Sequence, residues 1–137
     1  MKALYTAIYS KFTAEVAGAH NSFYTAIGGR LYFAEAPQGA TFPYCVYSMI
    51  SNTPEYFFND ELYEEFLIQF SLFDQDSSAG DIGTNVGYLK SLFDDCSITV
   101  ASYGHLLFER EMGRLLRDAE NNIWHYAVDY NVILEKD

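Results

Sequence analysis

The chain has 137 residues, half of them apolar and 18% aromatic, and carries a formal net charge of −11. That length suits one domain with its own core, spanning residues 1–137, and the composition excludes the disordered and low-complexity classes. The acid excess disfavours nucleic-acid binding, which needs Lys and Arg to displace counterions from phosphates.

Taken in chain order, residues 2–16 predict a helix with the apolar stripe Leu4, Ile8, Phe12 and Val16 at spacings of three and four. Gly18 interrupts it. Asn21 or Ser22 can cap a short second turn that runs to Ile27, where Gly28 and Gly29 stop helix formation. Residues 30–34 predict a short strand, and Ala36 to Phe42 a loop containing Pro37 and Gly39. After Pro43, residues 44–50 predict a second strand with Cys45, Tyr47 and Met49 on one face. Asn52 to Asp60 predicts a loop or hairpin tip, because Pro54 argues against an interior strand there. Residues 63–74 then predict the central strand, with Phe66, Ile68, Phe70 and Leu72 on one face and Leu67, Gln69, Ser71 and Phe73 on the other.

A second helix is predicted around Ile82, Val86, Leu89 and Phe93, with Ser78 and Asp81 as a loose capping box. Gly83 and Gly87 weaken it by about 1 kcal/mol each relative to alanine, so packing must hold it, and they suggest a close approach to the sheet. Residues 97–102 predict another short strand, Tyr103 and Gly104 a turn, and residues 105–117 an extended stretch interrupted at Gly113. Residues 118–122 form a turn. The last strand, residues 123–134, alternates most cleanly, with Trp124, Tyr126, Val128, Tyr130, Val132 and Leu134 facing one way and His125, Asp129 and Asn131 the other. Helix, three strands, helix, three strands implies an α+β fold. The expected form is a two-layer sandwich, with a mostly antiparallel sheet of about five to six strands and two main helices on one face.

Catalytic and cofactor chemistry is weakly signalled. The glycines at 80, 83 and 87 lack a phosphate-binding lysine, and Cys45 and Cys96 lack the paired spacing of a zinc site. Asp94 and Asp95 with His105 or His125 could be pictured as an acid–base or metal site, but adjacent aspartates at a helix end are more commonly solvated. Neither cysteine has a neighbouring base, so no catalytic, metal or cofactor-binding residue is assigned. No run approaches the roughly 18 apolar residues of a membrane span and no secretory leader is read, so a protein made in a reducing cytoplasm is expected.

Charge and aromatic placement say more. Between Arg30 and Lys90 there is no Lys or Arg, while that interval holds Glu35, Glu55, Asp60, Glu61, Glu64, Glu65, Asp74, Asp76 and Asp81. Tyr56, Phe57 and Phe58 sit among these acids, where they either fold back on the sheet or form a protein contact patch.

Several phrases together resemble the tail-terminator, tail-completion or head-to-tail joining proteins of long-tailed bacteriophages. They are Gly29-Arg30-Leu31-Tyr32, then Ala36-Pro37-Gln38-Gly39-Ala40 and Pro43-Tyr44, then Gln69-Phe70-Ser71-Leu72-Phe73, and finally Trp124-His125 with Asp129-Tyr130. The stretch Arg110–Arg117 fits less closely. The resemblance implies a structural virion protein and no enzyme. Six copies would form a ring at the head-proximal end of the tail tube, stop its polymerisation and offer a surface to a head-completion or connector protein. Assembly would take place in the host cytoplasm.

A ring needs two different sticky patches per subunit. Pro37, Gln38, Phe42, Tyr56, Phe57 and Phe58 are the candidate subunit or tube contacts. DNA would pass through the ring without specific binding, and Glu64 and Glu65 are the candidate lumen acids that would repel it. Two alternatives share the sequence features, namely another connector or minor tail protein, and an acidic DNA mimic that inhibits a nucleic-acid enzyme.

Overall fold

A computed structural model describes residues 2–57, 60–76 and 79–136, and within them the side chains of residues 55–57, 60–62 and Leu106 are left aside. The elements are α1 (Lys2–Thr13), β1 (Glu15–Val16), β2 (Ala19–His20), α2 (Ser22–Ala26), β3 (Leu31–Phe33), β4 (Tyr44–Phe57), β5 (Asp60–Gln75), α3 (Gly80–Phe93), β6 (Tyr103–Asp118) and β7 (Ile123–Lys136). The sheet order is β3-β4-β5-β7-β6, with only the β3–β4 pair parallel. This is the expected α+β sandwich, with all helices on one face of a mostly antiparallel sheet.

The predicted stripes meet in a single core. Leu4, Ile8 and Phe12 of α1 and Ile82, Val86, Leu89 and Phe93 of α3 are buried against Phe66, Ile68, Phe70 and Leu72 of β5 and Val128, Tyr130, Val132 and Leu134 of β7. Fully burying each such side chain contributes about 1.5–3 kcal/mol. Phe93 is central, with ring centroids 4.5 Å from Phe70 and 5.8 Å from Phe108. Its partner rings come from three strands, so α3 is positioned by shape as well as by apolar area.

Several boundaries differ from expectation. The first helix ends at Thr13, and Val16 lies in a small hairpin closed by Ala17 and Gly18, whose φ angles are 53° and 80°. Two successive positive φ values suit the twist of a two-residue hairpin turn. Asn21 caps α2 by accepting from the Tyr24 N–H at 2.8 Å, and its amide donates to the Phe12 carbonyl at 2.8 Å, fastening the end of α1. Cap and tie come from one side chain.

The hairpin expected over 52–60 is present, but its arms reach further than a loop allows. Residues 52–57 continue β4, paired as far as Phe57 with Asp60, and Phe58 and Asn59 lie outside the described residues. Pro54 fits because β3 covers only Cys45–Tyr47, so beyond that point β4 is an edge strand with no obligation to donate outward. Residues 97–102 form no strand beyond a bridge between Val100 and Tyr103, and Tyr103 and Gly104 belong to β6 rather than to a turn. β6 runs unbroken through Gly113, where the Tyr126 ring occupies the space a Cβ would take, at 2.9 Å.

Gly83 and Gly87 do not mediate close approach. Both are exposed, with nothing within 4 Å of where a Cβ would sit. Ser78 lies outside the described residues, and the residue preceding α3, Ala79, makes no side-chain cap bond.

Candidate interaction surface

Three helices cover one face of the sheet and leave the other bare, and strand period and register decide which side chains reach it. Cross-strand partners in an antiparallel pair share a face. The pairs Tyr44–Phe73, Phe73–His125 and His125–Leu116 therefore draw one row across β4, β5, β7 and β6 at one end of the bare face. The rings touch in sequence: Phe42 to Tyr44 at 5.2 Å, Tyr44 to Phe73 at 5.1 Å, and Phe73 to His125 at 4.3 Å with planes 20° apart. Tyr32 of β3 extends the row edge-on to Tyr44 at 6.1 Å. Burial in this row, followed by the nearby Arg114 charge, lowers the His125 pKa below the usual imidazole value.

Towards the other end the bare face dips into a concavity of about 550 Å³ lined by Ser51, Thr53, Glu65, Leu67, Glu111, Met112, Asp129 and Asn131. Three of these are acids and none is Lys or Arg. Gln69 donates to Asp129 at 2.9 Å and fixes that carboxylate. The acids are spread out, and among the described residues no group of three or more His, Cys, Asp or Glu could hold a metal ion.

The sequence-predicted residues separate accordingly. Pro37 and Gln38 are exposed in the loop after β3, and Phe42 is half-buried on Tyr44. Tyr56 and Phe57 are strand residues of β4, and Phe58 lies outside the described residues. Glu64 pairs across from Leu134 and so lies on the helix side of the sheet, whereas Glu65 pairs with Ile133 and lines the bare-face concavity. Adjacent strand residues point to opposite faces, so these two acids do not share one surface.

The pictured acid–base groups also separate. Asp94 is not simply solvated: it accepts the Tyr130 hydroxyl at 2.6 Å and lies 3.4 Å from Arg110, locking the end of α3 to β7 and β6. Asp95, Cys96 and His105 line one small cleft. Burial pushes the Cys96 thiol up to about 11 and His105 below its usual value, so at neutral pH the pair is thiol and neutral imidazole rather than thiolate and imidazolium. Cys45 is buried in the core, and both cysteines are free.

Two further features escaped sequence reasoning. The aromatic row is invisible without the strand register, because its members are scattered from Tyr32 to His125. The second is edge exposure. Met49 and Ile50 on β4 and Met112, Leu115 and Leu116 on β6 are five of the nine large apolar residues exposed among the described ones, and all five sit on the two outer long strands.

Bare sheet face, open edges and helical cover together define an α+β sandwich with one uncovered sheet face. No family model matches the sequence, and neither does any curated protein. Among solved structures the chain is similar to one from the virion of a native gene transfer agent particle, with a TM-score of 0.76 at 9% identity. The likeness covers 98% of this chain and 96% of that one, so the fold is shared end to end. No helix of the described residues is long and apolar enough to cross a membrane.

Proposed function

We propose that this protein is a structural component of a phage-like virion. In this reading copies of it form a hexameric ring at the head-proximal end of the tail tube, end tube growth and offer the joining surface to a head-completion or connector protein. The observation that carries it is the end-to-end fold likeness to a chain of a virion particle, which covers 98% of this chain and 96% of that one. The resemblance carried by the local phrases from Gly29 to Tyr130 supports tail termination or completion as the finer role.

The surfaces support assembly as well. Pro37, Gln38 and Phe42 occupy an exposed loop beside the aromatic row, where they can meet tube or head, and the β4–β5 hairpin that contains Tyr56 and Phe57 extends from the opposite end of the sheet. Of the two lumen candidates, Glu65 fits a wall that faces DNA, together with Glu111 and Asp129, and Glu64 does not. Fixed carboxylates within a Debye length of about 8 Å repel phosphates and let a duplex slide without sticking.

The test is electron microscopy of particles from a parent genome lacking this gene. Overlong or unjoined tails beside filled heads, restored by the added protein, are the expected result. Normal virions would refute the tail assignment and favour the DNA mimic, whose carboxylates would instead bind a basic enzyme in a salt-sensitive way.

A further inference from the structure

The sheet has two open edges of unlike character. On one side β3 pairs with β4 only at Cys45–Tyr47, and Ala34 donates to the Tyr47 carbonyl, after which the outward edge of β4 has no backbone partner among the described residues. On the other side Asp95 donates to the Phe108 carbonyl and Val100 bridges Tyr103, so the first part of β6 is flanked and residues 109–118 are open and exposed. Long exposed edges bearing Met, Ile and Leu template pairing with another chain unless something covers them. Here the cover that the described residues supply stops short on both.

We propose that a second copy of this chain covers them, the open half of β6 in one subunit pairing antiparallel with residues 49–53 of β4 in the next. The inference rests on the ring reading and names its interface. Strand directions already agree. Along β4-β5-β7-β6 the strands alternate, so β6 runs opposite to β4, and copies related by rotation about an axis along the sheet meet antiparallel. A face match sets the register. Ser51 and Thr53 lie on the bare face through their partners Leu67 and Glu65, and Arg114 and Leu116 lie on it through Ala127 and His125. Opposing side chains share a face, which allows Leu116 opposite Ser51 and Arg114 opposite Thr53. Pro54 withholds a donor just beyond and ends the ladder there.

Charge selects this pairing over like-with-like. From Tyr44 to Gln75 the β4–β5 hairpin contains no Lys or Arg and five acids besides Asp74. The open half of β6 is balanced instead, with Arg110, Arg114 and Arg117, three of the eight cations in the chain, beside Glu109, Glu111 and Asp118. Arg110 is held by Asp94 and Arg117 stacks on Trp124 at 4.3 Å, but Arg114 has no acid partner among the described residues. Opposite Thr53, it would stand one strand away from Glu65, within reach of a guanidinium when strands are about 4.8 Å apart. Two β4 edges brought together would face acid with acid.

The geometry also closes. Within one copy Leu116 is level with Tyr44, so pairing it with Ser51 offsets successive copies by about six residues, roughly 20 Å. The four long strands of each copy span about 19 Å across the sheet. An offset equal to the width tilts the strands by about 45°, at the upper end of the range closed sheets adopt.

Single and paired cysteines test this in the full chain: Ser51→Cys, Leu116→Cys and the double variant, oxidised and run on non-reducing gels. The double variant is expected to give a covalent ladder ending at the closed ring. An equimolar mixture of the single variants is expected to give dimers only, and neither variant alone any cross-link. Arg114→Glu is expected to weaken assembly at least about tenfold, and Glu65→Arg in the same chain to restore it, with an unchanged circular dichroism spectrum as the check on folding. Rings that form in the microscope without this cross-link or charge rescue would overturn the interface and leave the ring reading standing. Cross-linking of Leu116→Cys to itself would show a two-fold dimer and overturn the interface. A protein that stays monomeric, alone and with tail tubes, would overturn both.

Discussion

Replacing Gly83 and Gly87 with alanine should stabilise the monomer. Both sit four residues apart on the exposed side of α3, with no φ in the left-handed region and no atom within 4 Å of an added Cβ. Glycine there costs about 0.5–1 kcal/mol relative to alanine, chiefly by enlarging the conformational freedom lost on folding. The two new methyls reach no shared neighbour, so the effects should add to about 1.5 kcal/mol. With a urea m-value of about 2 kcal/mol/M for a domain of this size, the midpoint should rise by about 0.7 M at unchanged m. A neutral or lowered midpoint would show that this side of α3 is not the open surface described here. A stabilised monomer that no longer assembles would show the same face to be covered by another molecule.

Two more predictions follow from buried polar groups. The Tyr130 hydroxyl bonds the Asp94 carboxylate at 2.6 Å, so Tyr130→Phe should cost about 1.5 kcal/mol, and its cycle with Asp94→Asn should show coupling of about 1 kcal/mol by urea titration; additive single effects would remove the lock. Burial pushes the Cys45 thiol well above its ordinary value of 9.0. Above about pH 9 the unfolded thiol ionises while the folded one keeps its proton, so stability falls as pH rises, by about 1.4 kcal/mol per unit from this group. Cys45→Ala should flatten that limb by the same slope, whatever its offset at neutral pH, and an unchanged slope would refute the assignment.

What could be read without the structure was whatever one strand or helix encodes alone. The stripe of α1, the alternation of β5 and that of β7 were legible because each buries one face at a fixed period, and Asn21 was legible as a cap because its amide serves the next turn directly. β6 was legible as an extended stretch over 105–117 but not in its facing, and the reason is its bulges. Register shifts between His105 and Leu107 and between Arg110 and Met112 each insert a residue, so Phe108 and Arg110 face the helices in one phase and Gly113 and Leu115 in another. A period-two reading fails twice in that stretch, and Gly113, which marks the Tyr126 contact, looks like a break. Pro54 misled in the opposite direction, since it was correctly judged unfit for an interior strand but the sequence does not say which strands are edges. The candidate surface suffered most, because the row from Tyr32 to His125 exists only through pairing between distant segments.

Net charge and assembly are reconciled by range. A charge of −11 on each copy opposes association at a distance, yet screening over about 8 Å at physiological salt confines that repulsion to groups near the contact. Whether copies join is then decided by what lies within a few ångströms of the two edges. There the distribution is uneven in a useful way: the β4–β5 hairpin carries acids and no Lys or Arg, while on the far edge Arg114 has no acid partner among the described residues and Arg110 and Arg117 are engaged by Asp94 and Trp124. An acidic chain with cations set on only one of its two open edges can stay dispersed as a monomer, reject pairing of its acidic edge with itself, and still accept a neighbour in one orientation. Dispersal and directed assembly thus follow from the same placement of charge.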